Sequence, residues 1–291
     1  MKNARLFFCV LLLASIGRLS AQVTVEVLTD QDEFLPGEAI PIIARITNRS
    51  GQTLKLGRDE GWLKFSIEAH DGYVAYKNGD APVAGEFTLQ SSERATVRVN
   101  LAPYFQLPKP GHYTITATIS IPEWKKDISS DPRGFDVIQG ARLWQQDFGV
   151  PKLPGDSNPV PEMRHYALQE ANYLRSHLTL YVQVTDDVGK INKVFAIGPM
   201  VSFGQPEARV DKISNLHVLY QNGPRTFSYT VVNPEGELVV RQTYDYTTRP
   251  RFAPDDKGNL MVVGGTRRIT RDDIPSPKIS AGNDIPGPTN P

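Results

Sequence analysis

The sequence predicts a mainly β protein, in which a two-sheet sandwich is followed by a short helix and a β-meander. Two observations carry this prediction. Apolar residues alternate with polar ones along most of the chain, which is typical of strands with one buried face. The chain also holds 23 Gly and 23 Pro, which punctuate these runs at short intervals and favour turns over helices.

Residues 22–138 show the alternation most clearly. Seven or eight such strands over about 115 residues, separated by turn signals, predict an immunoglobulin-like (Ig-like) β-sandwich. The inward-facing sets that we expect are Val23, Val25 and Val27; Ile40, Ile42, Ala44 and Ile46; Leu63, Phe65, Ile67 and Ala69; Ala95, Val97, Val99 and Leu101; and Ile115, Ala117, Ile119 and Ile121.

Tyr113 supports the same fold. It follows a Pro-Gly turn and stands two residues before the inward Ile115, and in Ig-type domains a tyrosine so placed bonds back to the main chain. The segment resembles bacterial Ig-like modules, including the domain named after an intracellular proteinase inhibitor (BsuPI type). The resemblance rests on Phe-Leu-Pro-Gly-Glu at 34–38, Ile-Thr-Asn-Arg-Ser-Gly at 46–51 and Pro-Gly-His-Tyr at 110–113. It implies a fold, and no inhibitory residue can be carried over.

Residues 1–21 read as a secretory signal peptide. Lys2 and Arg5 precede the apolar run 6–16, and a small residue, Ala21, offers a cleavage point. Eleven apolar residues rising ~1.5 Å each are too few to span a bilayer core of about 30 Å. We therefore expect a secreted or periplasmic protein. Its one cysteine, Cys9, leaves with the signal, which excludes disulfides and thiolate sites.

The charge of the chain argues against nucleic acid and anionic membrane surfaces as partners. Lys plus Arg equal Asp plus Glu at 32 each, and loss of the signal leaves a weakly acidic protein. Binding to either partner needs clustered Lys and Arg. No later stretch approaches the ~20 apolar residues of a transmembrane segment.

A Pro-rich linker is predicted at 139–161, because four prolines fall within 151–161. A helix is predicted over 162–176, where Met163, Ala167, Ala171 and Leu174 fall near one helical face. This helix and a following β-meander form a second domain, 162–274. The Pro-rich tail 275–291 lacks apolar periodicity and is predicted to be disordered.

The second domain contains a weak repeat. The segment 211–218 returns 44 residues later as 255–262, both with an Asp-initiated turn leading through Asn-Leu into a strand. This resembles the turn and strand of β-propeller blades, which also have about this length. Residues 177–274 hold two blades and a fragment, so the region either closes by oligomerising or forms a small meander; we favour the meander. The whole layout is similar to uncharacterised secreted bacterial proteins.

The sequence shows no catalytic constellation. None of the five histidines stands in a zinc-ligand spacing, and there is no Gly-x-Ser-x-Gly or Ser-x-x-Lys. His217 lies in a predicted strand and is expected to be a wet-face or hydrogen-bonded residue. We therefore predict a protein that is not an enzyme.

No cofactor is predicted, with calcium as the one alternative. The acidic turn 255–259 offers oxygen ligands around a glycine but lacks EF-hand spacing. A turn in which Asp and Asn bond the local backbone explains the same residues.

Trp62, Tyr73 and Tyr76 are the candidate ligand contacts. Trp62 has the opposite parity to the inward Leu63, so an outward ring near two tyrosines would stack on sugars. The other interpretation is that Trp62 covers the edge of the sandwich.

The function expected from these observations is an exported, non-enzymatic binding or assembly module of the bacterial envelope or extracellular space, with a protein partner favoured. One alternative is a polysaccharide-binding protein. The other is an inhibitor or accessory of an extracellular hydrolase, which would use the loop 78–86.

Overall fold

The structure is a computed structural model that describes residues 23–70, 75–83, 85–150, 162–173, 177–188 and 192–275. It is mainly β, as predicted. The described ranges contain one helical element, a 3₁₀ turn at Pro122–Trp124. The chain divides into two compact units, the first ending at Val137 and the second beginning at Ile138.

The described residues of the first unit form twelve strands. They are β1 Val23–Thr29, β2 Glu33–Phe34, β3 Pro41–Asn48, β4 Leu54–Leu56, β5 Leu63–Ala69, β6 Tyr76–Lys77, β7 Phe87–Leu89, β8 Arg94–Asn100, β9 Phe105–Gln106, β10 Gly111–Ile121, β11 Lys126–Ser129 and β12 Arg133–Val137.

Two sheets account for most of these strands. One has the order β1-β3-β8, and the other has the order β11-β10-β12-β2 with β5 on the opposite edge of β10. Every pairing is antiparallel except that between β12 and β2, which is parallel. The short pairs β4-β7 and β6-β9 complete the unit.

The core of the first unit is built by the predicted inward faces. Val23 and Ile42 are fully buried on β1 and β3, and Ile115 and Ile119 on β10. All belong to one apolar cluster that draws on both sheets. The predicted main-chain bond of Tyr113 is confirmed: its hydroxyl donates to the carbonyl of Lys109 at 2.7 Å.

Eleven strands are formed by the part of the second unit that the structure describes. They are β13 Ala141–Gly149, β14 Met163–Tyr173, β15 His177–Asp186, β16 Asn192–Pro199, β17 Glu207–Val210, β18 Leu216–Gly223, β19 Thr226–Val232, β20 Leu238–Asp245, β21 Arg251–Pro254, β22 Leu260–Val263 and β23 Thr266–Arg268.

These strands form two antiparallel sheets and a hairpin. The sheets have the orders β13-β14-β15-β16 and β17-β18-β19-β20-β23, and β21 pairs with β22. Both sheets contribute to one core, with Tyr166 and Val182 from the first, and Leu216 and Tyr220 from the second, all buried.

The helix predicted over 162–176 is wrong: residues 163–173 form the strand β14. Tyr166 and Leu168, two residues apart, are both fully buried, which is the spacing of a strand face. The helix propensity of this stretch is outweighed by tertiary pairing, because β14 lies between β13 and β15 and is hydrogen-bonded to both.

Several predicted segments lie outside the described residues, namely the signal peptide 1–21, the Pro-rich 151–161 and the tail from 276 onward. Of the predicted linker, residues 141–149 form β13. Among the described residues, no helix is long and apolar enough to cross a membrane.

Candidate functional site

A cleft of about 500 Å³ lies in the second unit, between the β17–β18 hairpin and the β21–β22 hairpin. One residue of β13, the edge strand of the other sheet, also reaches it. The lining residues are Gln146, Ala208, Arg209, Val210, Asp211, Lys212, Ile213, His217, Gly258, Asn259 and Leu260.

The cleft meets β17 along its edge. Ala208, Arg209 and Val210 all line it, although consecutive residues of a strand point to opposite faces. One cavity can touch all three only where it runs beside the backbone. In the described part of the chain, β17 pairs with β18 alone, so its second edge is free.

The register shows which backbone groups face the cleft. The amide of Asp211 donates to the carbonyl of Asn215, and hydrogen-bonded pairs alternate along an antiparallel ladder. With Arg209 opposite His217, that pair is the next to be bonded. The N–H and C=O groups of Ala208 and Val210 therefore point away from β18, toward the cleft.

The turn 211–215 at the end of β17 is fixed by the Asp211 carboxylate. Its Oδ1 accepts hydrogen bonds from the amides of Ile213 (2.9 Å) and Asn215 (2.8 Å). Its Oδ2 accepts a hydrogen bond from Nδ2 of Asn215 and is hydrogen-bonded to Nε2 of His217. Burial acts to raise the pKa of this carboxyl, but the bonds from His217 and the turn outweigh it and lower the pKa.

Two further contacts anchor this turn to the other sheet of the unit. The buried Tyr166 hydroxyl donates to the carbonyl of Ser214 at 3.0 Å, and the Ser214 hydroxyl donates to the carbonyl of Gly149 at 2.7 Å. The floor of the cleft is therefore held from both sheets.

The turn 255–259 repeats the same arrangement. Asp255 Oδ1 accepts hydrogen bonds from the amides of Lys257 and Asn259, and its Oδ2 accepts one from Nδ2 of Asn259. The fourth residue of each turn has a positive φ, 68° at Ser214 and 76° at Gly258. This is the geometry of a type I turn followed by a bulge, and it uses the carboxylate of Asp255 within the turn.

The oxygens offered for calcium are thus engaged by their own turn, as in the second interpretation of these residues. Across the ranges that the structure describes, no group of three or more His, Cys, Asp or Glu residues could hold a metal ion. The absence of a cofactor stays a prediction.

His217 forms the inner wall of the cleft and is buried. Its Nδ1 is 2.8 Å from the hydroxyl of Tyr229, and the Phe252 ring packs edge-on against both rings. Burial raises the pKa of the Tyr229 hydroxyl to about 12. Both ring nitrogens of His217 are therefore occupied within the protein, and the imidazole serves as a link between β18 and the Asp211 turn.

Two cations stand at the mouth of the cleft. Arg209 and Lys212 are exposed, and neither forms an ion pair with any described carboxylate. Lys212 acts at longer range, since it is one of the groups that lower the pKa of Asp255. The oxygens of Asp211 and Asp255 already accept bonds from their own turns, so the groups left to bond a ligand are the two cations and the amides of Gln146 and Asn259, beside apolar side chains.

Of the three predicted contact residues, Trp62 and Tyr76 lie in the described part of the chain, and they differ in exposure. Trp62 is 3 % exposed, and its Nε1 donates a hydrogen bond to the carbonyl of Val83 at 3.0 Å. The outward position expected from its parity is therefore wrong. The chain turns at 59–62, so the alternation of the following strand does not extend back to Trp62. Tyr76 is 56 % exposed, and Tyr73 lies outside the described residues.

The described residues of the loop 78–86 are mostly exposed, but two of them contact the core of the first unit. Ala81 is buried and Val83 packs against the core cluster. A cleft of about 480 Å³ lies beside this loop, with Asp59, Glu60 and Asp80 in its wall.

A second charged cluster lies on the four-stranded sheet. His165 Nδ1 is 2.7 Å from Asp147, and its Nε2 is 2.6 Å from Asp187. The bond to Asp147, then the bond to Asp187, raise the pKa of His165 against a smaller opposing effect of burial.

The sequence did not predict the cleft. The turns 211–215 and 255–259 were visible as a repeat, but only the fold shows that their hairpins lie side by side, where Lys212 Nζ is 3.4 Å from the carbonyl of Lys257. Similar turns at a fixed spacing are the signal that would have pointed to it.

No protein-family model and no curated protein matches this chain. Among solved structures, the chain is similar to Spo0M, a sporulation control protein from Bacillus subtilis, at 10 % sequence identity. The alignment covers 75 % of this chain and 80 % of that chain, with a TM-score of 0.31. A similarity of this size carries no argument about fold or function.

Proposed function

We propose that this chain is an exported binding module that recognises a protein partner through the cleft of its second unit. The observation that carries the proposal is the position of the cleft along the free edge of β17. Unpaired backbone groups at a sheet edge are a template for pairing with another chain. Export rests on the signal-like residues 1–21.

The size and lining of the cleft agree with a binding site. Ligand-binding clefts usually enclose about 300–1,000 Å³ and combine apolar walls with a few polar groups. Here Ile213 is 64 % exposed at the mouth, beside Lys212 and Asn259. An exposed apolar side chain next to charged and amide groups suits a partner surface better than bulk water.

Binding without catalysis is favoured by the state of the ionisable groups in the cleft. The one histidine there, His217, is bonded at both ring nitrogens, and the Tyr229 hydroxyl beside it has a pKa of about 12. Neither is placed to take a proton from a bound molecule at neutral pH.

The finer fold assignments belong to the same proposal. In the first unit, the orders β1-β3-β8 and β5-β10-β12 match an Ig-like sandwich of strands A-B-E and C-F-G. In the second, two successive antiparallel meanders favour a blade-like origin.

The test is site-specific photo-cross-linking in the native envelope and culture fluid. A cross-linker at Ile213 is compared with one at Ile269, which is 70 % exposed and does not line the cleft. We expect one protein to be captured at Ile213 and not at Ile269, and to bind the purified chain. Equal capture at both positions would contradict the proposal.

A further inference from the structure

We propose that the cleft takes an extended, acidic polypeptide segment, which adds as a strand to the free edge of β17. This inference rests on the proposed function and deepens it by naming the chemistry of the partner and the mode of binding. Three independent features of the described residues carry it: backbone groups, side-chain faces and charge.

The first feature is the set of backbone groups on the outer edge of β17. Ala208 and Val210 turn their N–H and C=O groups toward the cleft, as the register and the Asp211–Asn215 bond require. Their side chains pack against the core of the unit, so the strand is held in place and its edge is preformed. Four residues at about 3.3 Å each give an edge of roughly 13 Å, long enough for a short added strand.

The faces of β17 define where side chains of the added strand go. Arg209 lies on the face opposite to Ala208 and Val210, which is also the face of its cross-strand partner His217. Alternate residues of a strand paired at this edge must project to that same side, between Arg209 and the turn 255–259 that lines the cleft.

The charge of that side selects the partner. Arg209 and Lys212 are exposed and, within the described ranges, form no ion pair. Asp211 and Asp255 already accept bonds from their own turns. A carboxylate on the added strand could form ion pairs with Arg209 and Lys212. A lysine there would be repelled by both, and the oxygens of Asp211 and Asp255 already accept other hydrogen bonds.

The probe is an acetylated, amidated octapeptide that alternates Glu and Val, with a Lys-for-Glu peptide as its charge control. Binding to the purified protein is measured by calorimetry. We expect the acidic peptide to bind about ten-fold more tightly than the basic one. Lys212→Gln should weaken acidic-peptide binding by about two- to five-fold, whereas Lys126→Gln on β11 should leave it unchanged.

Two N-methylated versions of the acidic peptide test strand addition directly. One carries methyl groups on the Val amides and the other on the Glu amides. Because alternate amides of an added strand face the sheet, one version should lose binding and the other should keep it. Equal binding of both versions overturns strand addition, and equal binding of the acidic and basic peptides overturns the charge selection.

The remaining outcome also decides the matter. If no peptide binds while the cross-linker at Ile213 still captures a partner, the inference fails and the proposed function stands. If neither peptide nor partner engages the cleft, both fail.

Discussion

Nε2 of His217 lies 3.0 Å from Oδ2 of Asp211, and this bond ties the turn at the end of β17 to the strand that follows it. The same carboxylate holds the turn amides. The edge on which the proposed binding depends is therefore positioned by one buried histidine and one aspartate.

Replacing Asp211 with Ala should destabilise the second unit by about 1–3 kcal/mol, because it leaves a buried imidazole N–H and two turn amides without their acceptor. Asp255→Ala is the matched control, since its turn has the same bonds but no histidine. The free energy of unfolding measured in urea should be clearly lower for Asp211→Ala than for Asp255→Ala. Equal losses would show that the histidine bond contributes nothing.

Tyr113→Phe should lower the free energy of unfolding of the first unit by about 0.5–1.5 kcal/mol, the usual contribution of one hydrogen bond. The change removes only the hydroxyl that donates to Lys109 and leaves the buried ring in place. Tyr76→Phe, at an exposed position, should have no measurable effect. Thermal unfolding of both variants checks the difference.

Gly57→Ala and Gly51→Ala separate backbone strain from steric overlap. Both glycines have positive φ, 84° and 77°, so each alanine pays the left-handed penalty of about 1–2 kcal/mol. A Cβ at Gly57 would lie 2.1 Å from the carbonyl oxygen of Gly85, whereas one at Gly51 meets nothing within 4 Å. Chemical denaturation should therefore show the larger loss for Gly57→Ala, and similar losses would contradict this packing.

His165 should make stability fall with rising pH. Carboxylates only accept hydrogen bonds, so the contacts to Asp147 and Asp187 require both ring nitrogens to carry protons. These contacts raise the pKa of the folded state above the unfolded value of about 6.5. The contribution of these contacts to the free energy of unfolding is complete below the unfolded pKa and is lost as pH rises through the folded pKa.

Denaturation of the wild type and His165→Gln at pH 5.5 and pH 8.5 (working values about one unit below and about two units above the unfolded pKa) measures this effect. The wild type should lose more stability than the variant between the two values. An NMR titration that places the His165 pKa at or below its unfolded value would contradict the prediction.

Local patterns predicted much of the first unit. The alternation of Ile42, Ala44 and Ile46 correctly predicted the position of β3 and its buried face. A strand with one solvent-exposed face has apolar residues at every second position, and this period is visible in the sequence. Tyr113 was readable for the same reason, since its turn and its core neighbour are adjacent in the chain.

The second unit was harder because its strands are defined by their neighbours. Met163 to Tyr173 is rich in helix formers, yet it pairs on both sides in the structure. The cleft depends on β17 having no second strand partner among the described residues and on the proximity of Lys212 to Lys257, and both are long-range relationships. Trp62 shows the same limit, because a turn reset the parity on which its outward position was predicted.

The most direct test of strand addition at β17 is amide hydrogen exchange at Ala208 and Val210, measured by NMR with and without the acidic peptide. In the free protein both amides should exchange quickly and Arg209 slowly, because only the Arg209 amide faces β18. Peptide should protect Ala208 and Val210. Slow exchange at these two amides in the free protein, or protection by peptide elsewhere but not here, would contradict the binding of a partner strand at β17.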